Sequence, residues 1–291
     1  MVASPAAAVR PPAPGPAAPP EFVMSDEEFD RIAMRIRAMS GIVLKAHKRQ
    51  MVYTRLARRL RALRLTSFTD YLDLLDRPEG APELEAFSNA LTTNLTSFFR
   101  ESHHFDHLRR EILVPRLAEG RRRIRVWSAG CSTGEEPYSI AISALGKGGP
   151  AAIPGVDLRI LATDLDTTVL ARAAGGRYPA ARAQDVPAPL RAGAILHRSP
   201  EEVEVAPALR AAVAFRRLNL LHVWPFRGPF DAIFCRNVLI YFDSDTKAEL
   251  VRRFADLLDA GGALYLGHSE SLLGEHPLLR SEGRTIYRRR P

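Results

Sequence analysis

The residues with the clearest chemical potential form one short run, Trp127-Ser128-Ala129-Gly130-Cys131-Ser132-Thr133-Gly134-Glu135-Glu136. The run follows an apolar strand pattern and opens a helical one. That is where an open α/β sheet takes a nucleotide-like ligand, and small residues let the backbone approach such a ligand closely. The Gly-Lys-Ser/Thr ending of a phosphate cradle is missing. Glu135 and Glu136 stand where a phosphate loop needs neutral or positive groups, so they would repel a pyrophosphate and attract an ammonium or sulfonium. S-adenosyl-L-methionine is therefore favoured over a dinucleotide as cofactor. A further acid, Asp164, closes the next strand pattern as Ala162-Thr163-Asp164. An acid there accepts from ribose hydroxyls, although taken alone it could equally cap the helix expected near Thr167. Asn219 and Leu220 precede a third apolar strand pattern, whose end, Cys235-Arg236-Asn237, is where substrate and cofactor meet in this architecture.

The elements that position these residues can be read from periodicity. Ser25 with Glu28 makes a capping box, and Phe29, Ile32, Ala33 and Ile36 recur at helical spacing until Gly41. A second helix carries Tyr53, Leu56, Leu60 and Leu63 on its buried face; two more follow, from Ser67 through Leu75 and from Pro82 to about Leu95. Residues 21–95 are thus expected to form a small all-helical domain. After a helix from His103 to Leu117 the period changes. Strands at Ile124–Trp127 and Leu158–Ala162, alternating with helices at 136–145 and Thr167–Ala174, imply a parallel sheet with helices on its faces. Prolines 179, 187, 189, 200 and 207 break the pattern between Gly175 and Val213, so 176–216 is expected as a small inserted β-subdomain within 96–291. Strand Phe230–Phe234, helix Ser244–Leu258 and strands Ala263–Gly267 and Thr285–Arg288 complete the reading.

Composition sets the broad class. With 46% hydrophobic and 25% charged residues, the 291-residue chain is that of a soluble globular protein and has no run of about 18 apolar residues to enter a bilayer. Residues 1–20 hold seven prolines and seven alanines and read as a disordered tail. Two cysteines, Cys131 and Cys235, build no disulfide framework, and no signal peptide precedes them, so a cytoplasmic address is expected. Lys+Arg 41 against Asp+Glu 33 gives +8, and Lys45, Lys48, Arg49, Arg55, Arg58, Arg59, Arg61 and Arg64 place eight positive charges in one stretch without an acid. That stretch suits an anionic partner. His103 and His107 with Glu111 could form a metal face, but no cysteine pair or third histidine is in register, and no metal is expected.

Four ordered blocks carry a family resemblance: Leu91 to Glu101 (LTTNLTSFFRE), Trp127 to Ser139, Gly228 to Phe242, and Gly267-His268-Ser269-Glu270. From about Leu91 to Tyr287 the chain resembles the CheR family, the chemotaxis receptor methyltransferases that esterify glutamate side chains of chemoreceptors with S-adenosyl-L-methionine. The resemblance implies a Rossmann-like class I methyltransferase domain preceded by the helical domain, and a monomer. It also implies a cofactor pocket containing Asn94, Thr96, Arg100, Glu135 or Glu136, Asp164, Asn219, Leu220, Arg236 and Asn237. Arg100, Arg236 and Tyr241 are the nearest candidates for orienting carboxylates, Arg being suited to a bidentate hold. Arg55, Arg58, Arg59 and Arg61 are expected to dock on the acidic cytoplasmic methylation helices of a receptor. A nucleic-acid methyltransferase is the rival within the fold, but the strand end Cys235-Arg236-Asn237-Val238 lacks an Asn/Asp-Pro-Pro-Tyr motif and Cys235 has no preceding proline. A non-catalytic adaptor would show decayed motifs, and these are intact. The connection His197-Arg198-Ser199-Pro200-Glu201-Glu202 is short and free of glycine, which argues against capture of a receptor tether peptide by the insert.

Overall fold

The computed structural model describes residues 21–149, 151–272 and 274–291; the expected tail, 1–20, lies outside the described residues. Helix α1 (Asp26–Ser40) starts at the capping box, with Ser25 Oγ accepting from Glu28 N and Glu28 Oε2 accepting from Ser25 N. It stops at Gly41, φ 74°, where a Cβ would lie 2.6 Å from Leu221 Cδ1 and 3.2 Å from Phe242. Gly41 thus lets the helical part approach the sheet part closely. Helices α2 (Arg49–Leu63), α3 (Phe68–Asp76) and α4 (Ala81–Leu91) pack around Ile32, Ile36, Val52, Leu56, Phe68 and Phe87. Helix α4 ends four residues before the expected Leu95, because Asp166 takes hydrogen bonds from the Thr92 hydroxyl and the Asn94 amide and draws the chain into an extended course.

Helix α5 (His103–His107) runs through a π-helical stretch, Leu108–Leu113, into α6 (Val114–Ala118). Pro115 has no N–H to offer the Glu111 carbonyl, and Arg288 Nη1 donates to that carbonyl at 3.1 Å instead. The chain then alternates: β1 (Arg123–Ala129), α7 (Glu135–Leu145), β2 (Asp157–Asp164) and α8 (Thr167–Gly175). It leaves the sheet to form β3 (Arg177–Pro179), α9 (Ala188–Arg191), β4 (Ile195–His197), β5 (Glu202–Val205) and α10 (Pro207–Arg210). It returns with β6 (Val213–Arg217), β7 (Phe230–Cys235), α11 (Ser244–Leu257), β8 (Leu258–Leu266), β9 (Leu279–Gly283) and β10 (Ile286–Arg289).

Seven strands form one sheet in the order β6-β2-β1-β7-β8-β10-β9, parallel from β6 through β8 and antiparallel at β10 and β9. Every residue of β7 is buried, as expected of a central strand covered on both faces. A separate antiparallel sheet has the order β3-β5-β4. Residues 213–216, expected inside the insert, belong instead to the large sheet, where β6 pairs with β2. Prolines crowd the sequence just before this short edge strand and hide the return to the sheet. Because β1 lies between β2 and β7, the strand order reverses there, and a crevice opens at the C-terminal ends of these strands.

Candidate active site

A cavity of about 310 Å³ occupies that crevice. Its floor is the β1–α7 loop, where Gly130 N and Cys131 N donate to Thr163 O. Gly130 must be glycine, since a Cβ would lie 2.3 Å from Val238 Cγ2. Ser132, φ 50°, donates its backbone N–H to Asp164 Oδ2 at 2.8 Å and its hydroxyl to Asn94 O at 2.9 Å. The other Asp164 oxygen accepts from Asp166 N at 3.0 Å. Asp166, not Asp164, caps α8, taking Thr168 N and Val169 N on Oδ1, so Asp164 is left facing the cavity. Burial raises its carboxyl above the ordinary range, against the pull of the backbone N–H donors.

A buried charge network forms the opposite wall. Arg236 Nη1 donates to Glu136 Oε2 at 3.1 Å, its Nη2 lies 3.5 Å from Glu101 Oε1, and Nη2 also donates to the Arg100 carbonyl. Glu136 accepts in addition from Ser128 Oγ at 2.7 Å; burial raises its carboxyl, partly offset by Arg236. Arg100 lies between two left-handed residues, Phe99 at φ 51° and Glu101 at φ 54°, and its Nη1 donates to Leu95 O at 3.0 Å. Of the seven non-glycine residues with positive φ among the described residues, four (Phe99, Glu101, Ser132 and Asn237) are in segments bounding the cavity. Backbone strain is concentrated where binding geometry must be fixed.

Glu270 ties two of the wall loops together. Its carboxylate accepts from Gly267 N and Asn237 N, both at 2.7 Å, and from Ile240 N at 3.1 Å. Tyr241 lines the cavity, and burial holds its phenol protonated by raising its pKa. Among the expected pocket residues, Asn94, Thr96, Arg100, Glu136, Asp164, Asn219, Leu220, Arg236, Asn237 and Tyr241 all line this one cavity. Glu135 does not: its Oε2 accepts from Thr133 Oγ1 at 2.6 Å in the interior. Asn219 lines the wall, but its amide donates to Met39 O in α1 and its Oδ1 accepts from Leu221 N, so its side chain is a strut between the two parts. Sequence reasoning gave no role to Glu101, Ser132, Asp166 and Glu270, although Glu101, Ser132 and Glu270 stand inside the blocks that carry the family resemblance; for Asp166 the signal was the Asp-Leu-Asp spacing of 164–166 before α8.

This arrangement fits S-adenosyl-L-methionine. Two carboxylates, Asp164 and Glu136, line a cavity whose remaining wall includes Ile42, Leu91, Val238 and Phe242, and among the described residues no cation is placed to hold a pyrophosphate at the β1–α7 loop. Residues 94–287 match the family described as CheR methyltransferase, SAM binding domain, and residues 27–92 match CheR methyltransferase, all-alpha domain. The chain belongs to the CheR methyltransferase family. It is an S-adenosyl-L-methionine-dependent methyltransferase. Chemotaxis protein methyltransferase 2 of Pseudomonas aeruginosa is 45% identical over 274 residues, 92% of this chain and 94% of that protein. The chemotaxis protein methyltransferase of Escherichia coli is 46% identical over 274 residues, 91% and 92%. Among solved structures, an S-adenosylmethionine dependent methyltransferase from Mesorhizobium loti is 16% identical and covers 57% of this chain and 52% of its own, with a TM-score of 0.31.

Three of the four arginines expected to dock a receptor are engaged within the CheR fold. Arg55 Nη1 donates to the carbonyls of Ala90 and Thr92, closing the C-terminal end of α4. Arg59 grips Glu83 through Nε at 2.8 Å and Nη2 at 2.7 Å, and Tyr71 donates to the same carboxylate. Arg61 pairs with Glu21. Arg58 is exposed and has no ion pair among the described residues. The sequence pattern missed these pairings because the acids lie outside the basic stretch. The metal face weighed and set aside in the sequence, His103 and His107 with Glu111, is not assembled: His107 uses Nδ1 on Tyr265 and Nε2 on Glu282. Cys131 and Cys235 are buried and their thiols are pushed well up by burial, so neither is a nucleophile.

Proposed function

We propose that the enzyme transfers a methyl group from S-adenosyl-L-methionine to glutamate side chains on the cytoplasmic helices of chemoreceptors, giving methyl esters. When bound, the cofactor supplies a methyl group on a sulfonium that leaves as a neutral thioether. A glutamate carboxylate has an ordinary pKa near 4.3 and is already ionised at neutral pH, so no general base is required. The protein's task is alignment and exclusion of water. Asp164 holds the ribose hydroxyls and Glu136 faces the cofactor's positive end, with Asn94, Thr96, Leu220 and Asn237 framing the pocket. Arg100 and Tyr241 present donors to the incoming carboxylate. Arg236, expected as an orienting group, has both terminal nitrogens engaged by Glu136, Glu101 and the Arg100 carbonyl, while its buried Nε has no partner; its role here is to position Glu136 and the Arg100 turn.

Residues 21–95 serve as the receptor-docking domain, with Arg58, Lys48 and Arg64 as the exposed charges around α2 and no nucleic acid as substrate. A monomeric enzyme working in the cytoplasm fits this reading; no helix among the described residues is long and apolar enough to cross a membrane. The observation that carries the proposal is the pairing of Asp164 and Glu136 across the crevice beside Arg100. Methyl-labelled cofactor incubated with a receptor cytoplasmic fragment tests it. Base-labile label on glutamate is expected, and label on RNA in the same mixture, with none on the receptor, overturns it.

A further inference from the structure

Beside the cofactor cavity, but not lining it, two acceptor atoms face one another without a donor. His104 is fully buried, and its Nδ1 lies 3.8 Å from Glu101 Oε2; neither atom has a hydrogen-bond partner. The tautomer of His104 is fixed by its other nitrogen. Nε2 lies 3.0 Å from the Arg284 carbonyl, which can only accept, so Nε2 carries the proton and Nδ1 carries a lone pair. His103 is held the same way, with Nε2 3.3 Å from the same carbonyl, and the two rings are 4.2 Å apart. That carbonyl is presented by a turn in which Arg284 and Thr285 are both left-handed, at φ 49° and 61°. One ring nitrogen of each histidine and a Glu101 oxygen fall within 4.8 Å of one another.

We infer that Glu101, His103 and His104 form a binding site for a borderline divalent cation of the zinc and cobalt class. Two imidazoles whose second nitrogens donate to a backbone carbonyl, together with one carboxylate, are the ligand set and outer shell that such ions use. Two ligand atoms bound tetrahedrally at about 2.1 Å are separated by roughly 3.4 Å, so the 3.8 Å between His104 Nδ1 and Glu101 Oε2 needs a small closure, and the His103 nitrogen, within 4.8 Å of both, one of at most about 1.4 Å. Arg236 is shared between Glu136 and the Oε1 side of Glu101, so Glu101 would offer the ion its other oxygen, Oε2, while part of its charge stays with the guanidinium. A bridging water could donate to both acceptors, but it would add no preference for a metal. The site ties the β9–β10 turn to the segment carrying Arg100, and it stands independently of the substrate proposed above.

The test uses the full chain, stripped with a chelator and dialysed. Cobalt(II) titration should give visible absorption bands of a nitrogen- and oxygen-ligated ion saturating at one equivalent, bleached by zinc(II). Calorimetry with zinc(II) should show one site, weakened at least tenfold by both His103→Ala and Glu101→Gln, while His197→Ala on the distant β4 leaves it unchanged. Circular dichroism of each variant checks that it is folded, and because His103 is only half-buried, its variant keeps the test decisive if Glu101→Gln is not. S-adenosylhomocysteine titration, read separately, reports the cofactor pocket. No saturable binding, as for a bridging water alone, or binding indifferent to His103→Ala, overturns the inference.

Discussion

Arg236 Nη1 donates to Glu136 Oε2 at 3.1 Å, joining the end of β7 to the first turn of α7 although both residues are buried. Removing one partner of such a pair leaves an uncompensated buried charge, which typically costs about 3–5 kcal/mol. Arg236→Ala should therefore lower the urea unfolding free energy by roughly 3 kcal/mol or more, since Glu101 also loses a counter-charge and the Arg100 carbonyl a donor. Adding Glu136→Gln to that variant should restore part of the loss. A single-variant loss below about 1 kcal/mol would show that the pair contributes little.

Asp164 is shaped for a ligand rather than for stability. Its carboxylate is desolvated and its pKa raised, so the ionised form is less favourable in the fold than in the unfolded chain. Asp164→Asn should leave stability at neutral pH unchanged or slightly higher, while weakening S-adenosylhomocysteine binding at least tenfold, or about 1.4 kcal/mol. Calorimetric titration beside urea unfolding separates the two effects. Unchanged affinity would remove Asp164 from the ribose role.

The same shifts set a pH dependence. Asp164 and Glu136 are both raised by burial, and a ligand bearing hydroxyl and ammonium donors needs both ionised. Affinity for S-adenosylhomocysteine should fall with decreasing pH before ordinary carboxylates titrate. The ligand-free fold moves the other way: a carboxyl with a raised folded pKa binds its proton more readily folded than unfolded, so its contribution to stability grows as pH falls through that window. Dissociation constants measured from about pH 7.5 to about pH 5 give the check. A flat profile over that range rules the coupling out.

What the sequence revealed and what it hid divide along contact range. The β1–α7 loop and Asp164 were legible because strand, small residues and acid follow one another within local periodicities. The supports were not. Glu270 reaches Asn237 across 33 positions and Asp166 reaches Asn94 across 72, and no spacing rule encodes such pairings. Glu135 and Glu136 are indistinguishable as letters; only the helix start separates them, turning Glu136 toward Arg236 and Glu135 inward toward Thr133. Strand β6 was hidden because five residues at a sheet edge, following a proline-rich stretch, carry too short a pattern.

Arg58 and Arg59 are neighbours with opposite consequences. Arg59 neutralises Glu83, whose side chain is 9% exposed, so Arg59→Ala should destabilise the helical part by roughly 3 kcal/mol and broaden or lower the thermal transition. Arg58 is exposed and unpaired among the described residues, so Arg58→Glu should leave unfolding within about 0.5 kcal/mol while raising the KM for a receptor fragment. The rise should be larger at low salt, where screening is weakest. Equal receptor KM values for Arg58→Glu and the parent enzyme at low salt would take the docking face away from this residue.

The inserted sheet offers little edge for a receptor tether. Strand addition needs a row of free N–H and C=O groups with pockets for alternate side chains. Strands β3 and β4 each pair only with the central β5 and are three residues long, and β3 ends in Pro179, which has no N–H to give. The β4–β5 turn is closed by Arg198 N donating to Glu202 O at 3.0 Å. Arg177, Arg198 and Arg210, the cations nearest these edges, converge on the Glu204 carboxylate, so their charge is largely spent within the sheet. A short added peptide would gain few main-chain bonds, and Arg177, Arg198 and Arg210 would have to leave Glu204 to meet its terminal carboxylate. Titrating a fluorescent peptide from a receptor C-terminus should give no saturation in the low-micromolar range. A low-micromolar dissociation constant that is lost when Leu196 on β4 is replaced by proline would place tether capture on this edge after all.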